Sequence, residues 1–202
     1  MEPEPKPRTR DAAQTRDRIL TAATARFTVD GYDKAGLREI CAEAGADPAL
    51  VCRYFGSKEQ LFAQVLASTG SDPMRILAGD RAGFGLRVAR ALLQPDDASA
   101  RDSMAFIALA FRSAASPVGS RLVRRRLEER FTEPFTAWLG GEQAVQRAHL
   151  IASVLMGVTA MRGVLFVSDA LEAQEDLDSM IGRLARVLQA IIDEPDDPPV
   201  GA

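Results

Sequence analysis

Cys41, Cys52 and His149 are the only two thiols and the one imidazole in this sequence of 202 residues. Their spacing does not suit a metal, since tetrahedral sites draw four Cys or His ligands from close pairs. There is no Gly-x-Ser-x-Gly elbow and no phosphate-binding P-loop, and Gly83-Phe84-Gly85 lacks the third glycine and the preceding strand of a dinucleotide site. Neither enzymatic activity nor a cofactor is expected. What remains is non-covalent chemistry by charged side chains. Arg121, Arg124, Arg125, Arg126 and Arg130 form a basic run that reads as a solvated face opposite Leu127 and Phe131. Arg162 stands among Met161, Gly163, Val164 and Leu165; a guanidinium buried there needs an interface carboxylate or an anionic ligand.

The densest pattern lies at residues 36–55. Ile40, Ala44, Ala46, Val51 and Phe55 fall at inward positions of two short helices that cross steeply. Cys41 is small enough for close crossing, and Gly45 supplies the left-handed turn between them. Asp47 is placed as N-cap with Pro48 at the first helical position. Ser57 and Gln60 have capping-box spacing and start a helix carrying Leu61, Phe62, Val65 and Leu66. This is the pattern of a helix-turn-helix, whose second helix enters the major groove of DNA. Cys41 then faces inward and Cys52 outward, which disfavours a bridge between them. An outward thiol beside Arg53 is also a candidate redox sensor.

The elements that hold this segment all read as helical. An arm at 1–10 alternates proline with charge, and an amphipathic helix follows over 11–29, with Ala12, Ile19, Leu20, Ala23 and Phe27 on one face, ended by Gly31. Helices are expected at 74–93 despite Gly79, Gly83 and Gly85, at 99–115, at 118–139 with a kink at Pro134, at 142–167 and at 172–192. No stretch alternates with a strand period. The fold class is therefore all-α: an N-terminal three-helix domain with the helix-turn-helix (11–68), a C-terminal helical bundle (73–193) and a disordered tail (194–202).

Composition agrees with a soluble domain: 47% apolar and 26% charged residues, with 25 basic against 28 acidic side chains for a net −3. So small a net charge does not attract a polyanion by itself, and any such partner must meet a local patch. The start, Met-Glu-Pro-Glu-Pro-Lys-Pro, has no apolar core of a secretory signal, and the apolar run from Leu150 to Met161 is short of the ~20 residues that span a bilayer. A reduced, cytoplasmic protein without a membrane segment is expected.

Around the motif, Phe27-Thr-Val-Asp-Gly31-Tyr32 precedes and Tyr54-Phe55-Gly56-Ser57-Lys58-Glu59-Gln60-Leu61-Phe62 follows. With these flanks, residues 13–68 resemble the TetR (tetracycline-repressor-like) family of transcriptional regulators; the rest matches in helix number and length and, loosely, around Leu155 to Phe166. The resemblance implies a homodimer on a double-stranded, near-palindromic operator, with its C-terminal domain for dimerisation and often for sensing a small molecule. It implies a base contact for Arg38 and a groove-facing side formed by Pro48, Ala49, Cys52 and Arg53. Tyr54 and Lys58 would reach phosphate, and Arg8 and Arg10 would follow the backbone or enter the minor groove. Two departures weaken these contacts: Ala35 and Gly36 stand where the family often has Thr or Ser, and Cys52 where it often has Tyr.

Helices 142–167 and 172–192 are expected to pair with their symmetry mates. Ala148, Ala152, Gly157, Ala160 and Gly163 would allow close approach, and the stripe from Leu177 to Ile192 would supply burial. The two recognition helices would then lie about 34–36 Å apart, or a multiple of that. An apolar pocket for a hydrophobic ligand is expected among Phe106, Phe111, Trp138, Met156 and Arg162. Two alternatives stay open: an all-α interaction or ligand-binding module whose helix-turn-helix no longer binds DNA, and an activator without small-molecule control.

Overall fold

A computed structural model describes residues 8–70, 77–163 and 174–194. The arm at 1–7, the inter-domain break, the end of helix 142–167 and the tail beyond 194 lie outside the described residues. Every regular element described is helical: α1 (Arg8–Lys34), α2 (Leu37–Ala44), α3 (Ala49–Phe55), α4 (Lys58–Ser68), α5 (Phe84–Leu93), α6 (Asp97–Ser113), α7 (Pro117–Leu127), α8 (Glu133–Leu139), α9 (Ala144–Gly163) and α10 (Gln174–Asp193). A π-helical turn, Glu128–Thr132, joins α7 to α8.

Several expectations are corrected. Arg8, Thr9 and Arg10 are the first turn of α1 rather than part of an extended arm. The helix expected over 74–93 is not continuous among the described residues: Leu77 is helical, Gly79 takes φ +108, and α5 begins only at Phe84, with Gly83 before its first turn; residues 74–76 lie outside the described residues. Gly85 stays inside α5 for another reason: a Cβ there would overlap the Ala185 carbonyl of α10, and its N–H donates to Gln189 Oε1 at 3.0 Å. At Pro134 the expected kink takes the form of the preceding π turn, which lets the ring follow without a clash in the ladder.

The chain divides into two compact units. The first contains residues up to Thr69 together with Ala108–Arg124, a stretch expected in the C-terminal domain. The joint explains it. Ser113 Oγ accepts from the Tyr32 N–H at 3.2 Å, and Ser116 Oγ donates to Asp33 Oδ1 at 2.7 Å. Gly31, at φ +74, breaks α1 where the backbone meets Arg112, and Gly119 lies against Ser113 and Tyr32 with no room for a Cβ. The core of this unit is Ile19, Ala23, Phe27, Ile40, Val51, Phe55, Leu61 and Phe62, all buried. Phe27, Tyr32 and Phe62 meet ring to ring, with centroids 4.9–6.2 Å apart.

The second unit contains Gly70–Ile107 and Arg125–Ala202. Its core gathers Phe84 and Val88 from α5, Phe135 and Leu139 from α8, Ile151 and Leu155 from α9, and Leu188, Ile191 and Ile192 from α10. Two guanidiniums fasten helix ends here. Arg147, 6% exposed, donates to the Gly140 carbonyl at 2.8 Å and to that of Glu194 at 3.1 Å. Arg81 donates to the carbonyls of Leu139 and Ile192, at 3.1 and 2.9 Å, and lies over the Trp138 ring. Carbonyls in the last turn of a helix lack intrahelical donors, and cations there complement the dipole.

Candidate nucleic-acid interface

Local sequence shapes α2 and α3. Gly45 takes φ 58, ψ 43, and the N–H groups of Gly45 and Ala46 return to the carbonyls of Ala42 and Cys41, closing α2 in a left-handed cap. Asp47 Oδ1 accepts from the Ala49 N–H at 2.7 Å, and Pro48 already has helical torsions, φ −54 and ψ −29. Ser57 Oγ accepts from the Gln60 N–H at 3.1 Å and starts α4. Arg26 of α1 fixes α2 by ion pairs to Glu39 at 3.1 Å and Glu43 at 3.2 Å. Glu39 also accepts from the Gly36 N–H at 3.3 Å, so α2 has a cap although Gly36 has no side chain.

The two sides of α3 differ sharply. Val51 and Phe55 are buried, while Pro48, Ala49, Cys52 and Arg53 are exposed and Tyr54 is half-buried. Of the other positions expected inward, Ile40, Cys41 and Ala44 are buried, and Ala46 only partly so. Cys52 is exposed and Cys41 buried, and both thiols are free. Arg38 is exposed at the start of α2. The Arg53 guanidinium lies 5.9 Å from the Tyr54 ring centroid, and Arg16 of α1 lies 5.0 Å from that of Phe55 while bonding Gln64. A short helix thus offers one cation, two apolar residues and a thiol on a single open side, with aromatic rings steadying the arginines.

Lys58 is folded inward. Its Nζ donates to the Asp33 carbonyl at 3.3 Å and sits 4.9 Å from the Tyr32 ring. Burial pushes its ammonium below the ordinary lysine range, with Asp33 opposing. Sequence patterns had no means to find this, since Asp33 and Lys58 are 25 residues apart.

The expected ligand residues are scattered. Phe111 is 58% exposed, whereas Phe106 and Met156 are partly buried and Trp138 stacks among Phe84, Phe135 and Arg81. Arg162 is half-buried and its Nη1 donates to the Leu92 carbonyl at the end of α5. One of the partners that a half-buried guanidinium needs is therefore a main-chain carbonyl. A cleft of about 420 Å³ in the second unit is lined by Arg81, Leu139, Gly140, Gly141, Arg147 and residues 192–194, and a wider one of about 1000 Å³ lies along α1 and α2. None of the five expected residues lines either.

Residues 19–65 match the family described as bacterial regulatory proteins, tetR family, and residues 82–192 match the tetracyclin repressor-like C-terminal domain. A TetR-family regulator of Streptomyces coelicolor A3 (SCO0857), known by crystal structure, is 30% identical, with a TM-score of 0.59, over 96% of this chain and 100% of that one. A transcriptional regulator from Rhodococcus sp. Rha1 is 25% identical over 85% of this chain and 96% of its own, with a TM-score of 0.55. Among curated proteins, the HTH-type transcriptional repressor SCO4008 of Streptomyces coelicolor is 44% identical over 57 residues, 28% of this chain and 30% of that protein. The repressor NicS of Pseudomonas putida is 39% identical over 59 residues, 29% of this chain and 28% of its own. The chain thus matches about three-tenths of the length of these two curated relatives.

Proposed function

The chain belongs to the tetR family of bacterial regulatory proteins, and from that premise we propose that it is a cytoplasmic, homodimeric repressor of transcription that reads a near-palindromic operator and releases it on binding a small apolar ligand. One observation carries the DNA-binding part. The short helix α3 buries Val51 and Phe55 and leaves Pro48, Ala49, Cys52 and Arg53 open, which is how a recognition helix enters a major groove. Arg53 and Arg38 suit guanine edges, and Pro48 and Ala49 suit a thymine methyl. Arg8 and Arg10, at the start of α1, suit the adjacent phosphates.

The dimer reading rests on α9. Ala144–Arg162 is long and apolar enough to cross a membrane by length and composition, yet its most apolar window is only 28% buried. Arg147 and Arg162 along it already bond carbonyls of their own chain. An apolar helix left that open needs a cover, and a second copy supplies one. Burial divides the expected set: Gly157, Met180 and Val187 stay available to a second copy. Ala148, Ile181, Leu188, Ile191 and Ile192 are buried within the protomer, so they do not serve the interface. Val145, Leu150, Gly157 and Met161 of α9, with Met180 and Val187 of α10, are the exposed set.

Ligand control is the remaining part. Phe106, Trp138, Met156 and Arg162 stay as candidate contacts for a small apolar molecule. To move a 99:1 population to 1:99 such a ligand must favour the released state by about 5.5 kcal/mol. Selection of bound duplexes from a random pool tests the whole reading. An enriched, twofold-symmetric site that the protein retards in a gel supports it, and loss of retardation with an apolar compound identifies the effector. A pool that stays random overturns it.

A further inference from the structure

We propose that Arg121, on α7, is an additional phosphate contact of the DNA-reading unit. The inference rests on the DNA-binding reading above and extends it to a helix outside the helix-turn-helix domain. Residues 108–124 belong to the same compact unit as α1 to α4, so the first turns of α7 travel with the reading helices. Arg121 Nη2 lies 3.3 Å from Glu59 Oε2, and Glu59 follows Lys58 directly in the first turn of α4. The guanidinium side chain is 63% exposed.

Lys58 is the cation that the family resemblance assigns to phosphate at this place, and it is turned inward onto Tyr32 and the Asp33 carbonyl. The charge displayed to solvent beside it belongs to Arg121. Lys58 and Glu59 are consecutive in the first turn of α4, and the exposed guanidinium is paired with the second of them. The Tyr32 hydroxyl registers the same cluster: its pKa is raised first by burial and then by Glu59 and Asp33, while Arg121 opposes the rise. Arg124, three residues along α7, is exposed too and extends the basic side. An arginine fork donates to two phosphate oxygens at once where a lysine offers a point charge. Arg121 therefore shifts from neutralising Glu59 to holding the backbone that α3 straddles.

The test uses full-length protein, an operator obtained by selection with the wild type, and a scrambled duplex of equal length. Arg121→Ala weakens both duplexes several-fold at low salt by the same factor, and the slope of log affinity against log salt falls by about 1. Arg121→Lys restores most of the slope. Glu59→Gln separates direct from indirect action: the loss from Arg121→Ala persists in that background if the guanidinium touches phosphate. Unchanged binding in Arg121→Ala, or a loss that vanishes once Glu59 is neutral, overturns the contact while the DNA-binding reading stands. A wild type that binds neither duplex overturns both. Unchanged circular dichroism and melting of each variant exclude unfolding as the cause.

Discussion

Ser116 donates a 2.7 Å hydrogen bond to Asp33 across 83 residues of sequence, and three residues earlier Ser113 accepts from the Tyr32 amide. Both serines are buried, at 3% and 0% exposure. Ser113→Ala leaves a buried N–H without a partner and costs about 1–3 kcal/mol of stability. Urea unfolding with an unchanged slope measures it; a loss inside experimental error would show that water reaches the Tyr32 amide.

Gly31 and Gly45 both take positive φ, +74 and +58, but their surroundings differ. A Cβ at 31 overlaps the Arg112 carbonyl, whereas nothing lies within 4 Å of one at 45. Gly45→Ala therefore costs only the left-handed backbone strain of about 1–2 kcal/mol, and Gly31→Ala costs more and separates the 112–119 turn from α1. Melting of the two variants side by side decides it, and equal losses would refute the distinction.

Native protein is expected to react with one equivalent of a maleimide, at exposed Cys52, and to expose Cys41 only on unfolding. A bulky adduct on the outer side of α3 abolishes operator retardation, and Cys52→Ser protects it. If Cys52 also senses oxidants, peroxide weakens binding in the wild type alone. Two thiols reacting at the same rate would contradict the burial of Cys41.

Val187 is 51% exposed, so Val187→Glu is tolerated by a single chain. In a dimer closed by α9 and α10 the same change buries a carboxylate. Sedimentation should move from the two-chain to the one-chain mass, with a steep fall in operator affinity because both half-sites must be held at once. A variant that stays dimeric places the interface elsewhere.

Lys58 and Tyr32 titrate with opposite consequences. Burial lowers the Lys58 pKa from 10.5. Between the folded value and 10.5 the unfolded chain then holds more protons, and this group makes stability rise with pH. The Tyr32 pKa is raised from 10.0, first by burial and then by Glu59 and Asp33; above 10.0 the unfolded chain holds fewer protons, and stability falls. Lys58→Met removes only the first effect. The stability difference between wild type and variant should therefore move in favour of the wild type as pH climbs toward 10.5, as urea unfolding at stepped pH reads out. A flat difference would mean that Lys58 is solvated in solution.

Features fixed by neighbours in sequence were legible before any coordinates. Gly45 demanded a left-handed turn, Asp47 and Ser57 were placed to accept amide protons a few residues on, and the spacing of Val51 and Phe55 separated the inner from the outer side of α3. Contacts between distant segments were not. Nothing near Ser113 announces Tyr32, 81 residues away, and nothing near Arg162 announces the Leu92 carbonyl. The apolar stripe of α10 was visible, but periodicity cannot say whether it covers α5 of the same chain or another copy. The glycine at 85 read as a helix weakness until its contact with Ala185 supplied the reason. Residue spacing is least informative about a ligand pocket, because any helical core offers Phe, Met and Trp at such spacings.

That Ala108–Arg124 groups with the front of the chain bears on how such regulators can diversify. A crossover near residue 70 looks like a clean exchange of one reading head for another. It would instead set a foreign 108–124 segment against Gly31, Tyr32 and Asp33. A working chimera must therefore carry that stretch across with the front.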